Sequence, residues 1–243
     1  MNQNAETPAA DHLLDGGNMD CGSGLILLIR QNMLQVPPGG ILEIRSTEPS
    51  VETELPPWCR MVGHTHLSTV QQQGQWRHFI RRGESTEKEE KGLQADKAKA
   101  TEYKWSVRAR RTSETTLYSR NFSWKSDHCV NFDRKGKTPT SLEQFYGSLL
   151  ADLVNAFANH CSQAGIELDE LEATSNATLN NPIAAAGVEP GDPSVHSIQL
   201  TLFCSSPAPE DIIRSAWDAS TRSAPVLQTV TKACPINLKL VLL

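Results

Sequence analysis

The sequence predicts an α+β protein made of two unlike folded halves joined by a charged stretch. Three observations point there. Residues 83–101 carry a dense mix of both charges, with no aromatic and no β-branched apolar residue. Helix and strand signals alternate before that stretch, as in a two-layer βαβαββ sandwich. After it, strands come first and two helices sit in the middle, one of them long and central. The expected division is 1–82, a linker at 83–101, and 102–243.

In the first half, Leu13-Leu14-Asp15 is a short apolar start followed by the turn signal Gly16-Gly17-Asn18. Gly22 to Leu34 carries a helical apolar stripe through Leu25, Leu28 and Ile29, and it stops at Pro37-Pro38-Gly39-Gly40. Ile41 to Ser46 alternates like a strand. Ser46-Thr47-Glu48-Pro49 can cap a second helix through Val51, Leu55, Trp58 and Val62, ended by Gly63. Pro56-Pro57 inside it predicts a kink or a break. Two strands, His66 to Val70 and Trp76 to Arg81, flank a Gln/Gly turn at 71–75. The charged stretch cannot bury enough apolar surface to offset its ordering entropy, which predicts a mobile linker or a loose helix.

In the second half, Tyr103 to Arg111 and Thr115 to Trp124 read as a hairpin around Thr112-Ser113-Glu114. A polar loop leads to Pro139-Thr140-Ser141, a helix opening with Glu143 in the first turns. From there to Cys161 the apolar residues follow 3–4 spacing on one face. Leu168 to Leu179 and His196 to Cys204 read as strands, Pro209 to Ser223 as a helix, and Ile236 to Leu243 as a closing strand.

The composition excludes several classes. With 23 Lys+Arg against 28 Asp+Glu and a net charge of -5, the chain has no bulk charge for nucleic acid. No run approaches the ~18 apolar residues of a membrane span. Leu25 to Ile29 follows an acidic rather than a basic segment, so no secretory signal is read and a cytoplasmic location is expected. Six cysteines stand at 21, 59, 129, 161, 204 and 234, without CxxC pairs or zinc-finger spacing. They are expected to be free thiols, with no metal and no cofactor.

Cys21 is the candidate catalytic residue. It lies in Asp20-Cys21-Gly22-Ser23-Gly24, between the first strand-turn and a helix. A thiol in the first turn of a helix sees unpaired N–H groups and the positive end of the dipole, both of which favour the thiolate. Asp20 acts against this by raising the thiol pKa. The competing reading is a small buried cysteine between flexible glycines. Cys59, beside Trp58 in mid-helix, reads as core, and His64 after Gly63 reads as a structural residue at a helix C-terminus.

With the elements in this order, residues 13–82 resemble the TusA/SirA-like sulfur-carrier family. The resemblance rests on Leu14-Asp15, Cys21 at the helix start, Pro38-Gly39, Glu48-Pro49-Ser50-Val51, Trp58-Cys59, Gly63-His64 and Gly74-Gln75-Trp76-Arg77. It implies a persulfide on Cys21, a sulfur-donor protein of desulfurase or rhodanese type, and a sulfur acceptor not identified by sequence. The family's typical Cys-Pro-x-Pro is replaced here by Cys21-Gly22-Ser23-Gly24, where glycine loosens the helix start that proline would pre-set. The acceptor is left open for that reason.

Residues 102–243 resemble the OsmC/Ohr-like family through Pro139-Thr140-Ser141-Leu142-Glu143, Gly165-Ile166 and Ser223-Ala224-Pro225-Val226. That resemblance implies an intertwined homodimer and, in redox members, peroxide reduction by two cysteines. Their positions fall here on Asp152 and Ala224, so both thiols are absent. Glu143 and Asp152 remain candidates for a second-domain site, Asp152 with Arg108, Arg110, Arg111 or Arg120 as possible partners if buried. The readings are sulfur carriage on Cys21 with a degenerate OsmC-like half, a thiol peroxidase through Cys161 and Cys234, or a non-enzymatic regulator or scaffold. The tether would let a carrier domain swing in the first and third.

Overall fold

The computed structural model describes residues 8–72, 74–133 and 135–243. Residues 1–7, where the first expected domain begins, lie outside them, as does Gln73 within the expected turn at 71–75. The chain forms two compact units, residues 1–103 and 104–243.

The first unit has strands β1 (His12–Asp15), β2 (Ile41–Ser46), β3 (Thr65–Gln72) and β4 (Gln75–Arg81) in the order β1-β2-β4-β3. β1 runs parallel to β2, and β4 is antiparallel to both its neighbours. Helices α1 (Leu25–Met33) and α2 (Ser50–Val62) share one apolar core with the sheet, through Leu25, Ile29 and Met33, Val51, Leu55 and Cys59, and Leu42, Ile44 and Ile80. Period-2 alternation turns Glu43 to the other face of β2, where it binds Arg77 at 2.7 and 2.9 Å and Arg45 at 2.8 Å. This is the expected βαβαββ sandwich.

Two local expectations change. Helix α2 runs through Pro56 and Pro57 without a break. The carbonyls those prolines leave unbonded belong to Glu52 and Thr53, both exposed, so water can satisfy them. Cys21 does not open α1. It starts a short 3₁₀ turn, Cys21–Ser23, and Gly24 at φ +113° separates that turn from the α-helix.

The larger change is in the charged stretch. Residues 86–102 form helix α3 (Thr86–Glu102), opened by Ser85, whose side chain accepts the Lys88 N–H at 3.2 Å. It packs on α1. Glu89 and Leu93 are buried, and Glu89 and Asp96 hold Arg30 at 3.1 and 2.6 Å. A helix polar nearly all round stays ordered through these tertiary ion pairs rather than through an apolar stripe.

The second unit contains a meander of β5 (Arg108–Arg111), β6 (Thr115–Ser119) and β7 (Phe122–Ser126). The expected hairpin is thus three strands. Tyr103 to Val107 lie outside β5, and the second expected strand folds back at Arg120, whose φ is +50°. Helix α4 (Ser141–Gln163) is the long central helix, with a capping box formed by Thr140 and Glu143. A sheet of β8 (Glu170–Leu179), β9 (Val195–Ser205) and β10 (Ile236–Leu242) follows, in the order β10-β9-β8 with β10 parallel to β9. A short helix, α5 (Pro182–Ala185), lies in the loop between β8 and β9. Helix α6 (Glu210–Ser223) is as expected, and a further helix, α7 (Pro225–Val230), was not. Pro225 is the first residue of α7, where its missing N–H costs nothing.

Candidate functional site

Cys21 is half-buried, whereas Cys59, Cys161 and Cys204 are buried. It lines an open cleft of about 500 Å³ between α1, α2 and α3. The Asp20 carboxylate caps the 3₁₀ turn by accepting the Ser23 N–H at 2.6 Å. The thiol is pushed up to about 12, first by burial, then by its hydrogen bond to Glu54 and by the charges of Glu54 and Asp20. This reverses the thiolate expectation. Gly24 interrupts the helix whose dipole was to lower the pKa, and a carboxylate from α2 takes the thiol proton's side of the bond.

The lining is mixed in charge, with Arg30, Lys88, Lys99 and Asp96 all facing the space. Arg30 of α1 lies over the Trp58 ring at 5.5 Å, and its guanidinium is shared by Glu89 and Asp96. Lys88 and Lys99 line the α3 side. Gly92 is where α3 crosses Arg30: a Cβ there would collide with the guanidinium Nη1. His64 Nδ1 accepts the Gly83 N–H at 3.0 Å, which leaves the ring proton on Nε2, 3.0 Å from Glu89 Oε2. Burial pushes the Glu89 carboxyl up, yet His64 and Arg30 outweigh it and hold its pKa below the ordinary value. His64 is therefore a structural residue, as expected, and its partner is α3. Sequence reasoning missed Glu54, Arg30 and the α3 lysines, since each reaches the site from a different element.

In the second unit, Asp152 Oδ2 accepts the N–H groups of Val226 and Leu227 at 2.9 and 3.0 Å. The fold thus brings position 152 beside the segment 224–227, and there the carboxylate caps α7. None of the four arginines is its partner; Arg108 and Arg120 lie over Tyr118 and Phe122 instead. Glu143 Oε2 accepts the Thr140 N–H at 2.7 Å, so it too is committed to a helix cap. Cys161 and Cys234 belong to different apolar clusters. Burial pushes the Cys161 thiol up to about 12. Among the described residues no group of three or more His, Cys, Asp or Glu is arranged to hold a metal ion, and no helix is long and apolar enough to cross a membrane.

A small α/β sandwich followed by a helix-and-sheet unit is the class this architecture defines. Residues 23–82 match the family model "Sulfurtransferase TusA", beginning just after Cys21. The sulfur carrier protein TusA of Pseudomonas fluorescens (strain SBW25) is 28% identical over 82 residues, 34% of this chain and 96% of the relative. That of Pseudomonas aeruginosa (strain LESB58) is 25% identical over 76 residues, 31% of this chain and 95% of the relative. The first unit carries a TusA-family domain. Over 58% of this chain and 99% of its own, an OsmC-like protein from Mycoplasma pneumoniae superposes with a TM-score of 0.51 at 18% identity. The second unit has an OsmC-like fold.

Proposed function

We propose that the chain is a sulfur carrier that takes a sulfane sulfur onto Cys21 as a persulfide and passes it to an acceptor. The observation that carries this reading is the half-exposed Cys21 lining an open cleft, immediately before the residues that match the TusA model. Glu54 is the proton acceptor. A thiol near 12 is protonated at neutral pH, and the attacking species is the thiolate. The carboxylate hydrogen-bonded to the thiol takes its proton as sulfur attacks and returns it to the leaving group. Loss of both cysteine positions at 152 and 224 speaks against peroxide reduction, and the OsmC-like unit serves dimerisation in a cytoplasmic protein.

The test is sulfur loading by a cysteine desulfurase with cysteine, read by intact mass. A gain of one sulfur atom is expected on the wild type and none on Cys21→Ser. An adduct that survives Cys21→Ser overturns the assignment. Glu54→Gln is expected to slow loading at pH 7, and faster loading would remove Glu54 from the proton path.

A further inference from the structure

Helix α3 is joined to the first unit in a way that α1 and α2 are not. Among the described residues, the apolar core shared by α1, α2 and the sheet contains no residue of α3. The residues that match the TusA model end at Arg82, before α3 begins at Thr86. Only Glu89 and Leu93 of the helix are buried, so a single leucine supplies its buried apolar contact. The remaining attachments are polar. Glu89 binds Arg30 at 3.1 Å and lies 3.0 Å from His64 Nε2, and Asp96 binds Arg30 at 2.6 Å. Detaching α3 therefore leaves the sandwich core closed, as expected of a local unit that opens at less than the global unfolding free energy.

The same helix presents a second face to the sulfur site. Lys88, Gly92, Asp96 and Lys99 recur every three or four residues, and together they line the cleft that Cys21 lines. A space of about 500 Å³ is of small-molecule size. A protein that hands over sulfur needs far more, about 800 Å² of its partner's surface around the reacting atom. We propose that α3 is a detachable strap on the sulfur site: docked, it takes up surface around Cys21 that a protein donor needs, and undocked, it admits that donor. The proposal rests on the sulfur-carrier reading and adds its regulation. Burial, then Glu54, raises the Cys21 thiol, and no α3 residue adds its charge, so the strap acts on access to the sulfur.

Two substitutions release the strap without touching the sulfur. Glu89→Gln keeps the side chain's shape and removes the charge that faces both Arg30 and His64. Gly92→Ala keeps every charge and sets a methyl group on the Arg30 guanidinium, which must then leave Glu89 and Asp96. The loading step itself needs no added oxidant. Cys21 sulfur attacks the outer sulfur of a cysteine persulfide on the donor, and a new S–S bond forms as the donor's S–S bond breaks. The electron pair leaves with the donor's cysteine sulfur, which departs as a thiol with the proton that Cys21 gives up. Helix α3 takes no part in that exchange.

The experiment compares two rates at Cys21 in the full chain, both read by mass on the peptide that contains it. One is persulfidation by a persulfide-loaded cysteine desulfurase, a protein donor. The other is alkylation by iodoacetamide, a small reagent that reports the thiol's own reactivity. In Glu89→Gln and in Gly92→Ala, hydrogen exchange at 86–102 should quicken while β2 and β4 keep their protection. The ratio of persulfidation to alkylation should rise about tenfold in both, because a site open only part of the time is loaded in proportion to that fraction. Faster exchange in α3 with an unchanged or lower ratio overturns the proposal and leaves the carrier reading intact. So does slow exchange in α3 in both variants, because Arg30 then does not hold it. Loss of protection from β2 and β4 together with α3 overturns it too, since the helix is then part of the sandwich core. A wild type that is alkylated at Cys21 but never loaded overturns the carrier reading and this one together.

Discussion

Cys21 in the first unit and Asp152 in the second both sit where an α/β framework gathers polar backbone and side chains, and the two sites have gone in opposite directions. At Cys21 the sulfur is retained and left half-exposed, and three helices line an open cleft beside it. Beside Asp152, residues 224–227 are close, but the carboxylate spends its Oδ2 on the N–H groups of Val226 and Leu227. One site leaves its side chain half-exposed. The other uses its group to hold a helix end, and its neighbour Ala224 is fully buried.

Substitutions can break that contrast, and the largest effect should come from α3. Glu89→Ala leaves Arg30 and His64 facing a buried gap, and removing one partner of a buried pair costs about 3–5 kcal/mol. Hydrogen exchange should show residues 86–102 losing protection, with α4 and β8–β10 unchanged. Unaltered protection in α3 would mean that the ion pairs do not hold it.

Acid should separate the units next. His78 is fully buried, and burial first, then the neighbouring His66, lowers its pKa to about 4. A depressed histidine contributes stability that is fully present above its unfolded pKa near 6.5 and is lost as pH falls toward 4, up to about 3 kcal/mol. Glu43 and Glu89 are held low, the first chiefly by Arg77, so their contributions persist above about 4.5 and fade below it. The first unit should therefore open before the second during acid titration, followed by exchange at β4 against β9.

Smaller effects test each site alone. Asp152→Ala removes the cap of α7 and should cost about 1–2 kcal/mol in denaturant unfolding, whereas Asp152→Asn should retain most of it. At Cys21, alkylation by iodoacetamide should rise with pH up to about 12. Glu54→Gln, which removes a raising charge, should speed alkylation several-fold at pH 8. Iodide needs no proton to leave, so alkylation should quicken in the same variant whose sulfur loading slows.

Most of the first unit could be read from periodicity, because Leu25, Ile29 and Met33 or Val51, Leu55 and Val62 announce their helices locally. Helix α3 could not. Its single buried leucine gives no stripe, and the residues that fix it, Arg30 and His64, lie outside the segment. Of the mobile linker or loose helix that the sequence predicts, the helix is what forms, and it is docked rather than loose; the non-helical chain before β5 is only residues 103–107. The Cys21 position was visible, but the electrostatics that govern it were not. Glu54 comes from α2, and only the fold shows that Gly24 cuts the thiol off from α1. Asp152 pairs with no arginine but with the start of α7 at Pro225, a helix of six residues too short to show a periodic stripe.

The raised thiol of Cys21 has a consequence for its durability. Peroxide attacks thiolates, and a sulfur protonated at cellular pH climbs slowly from sulfenic to sulfinic and sulfonic acid. The acids beside it act as a preservative: under the proposed role they would keep the atom reduced between one loading and the next.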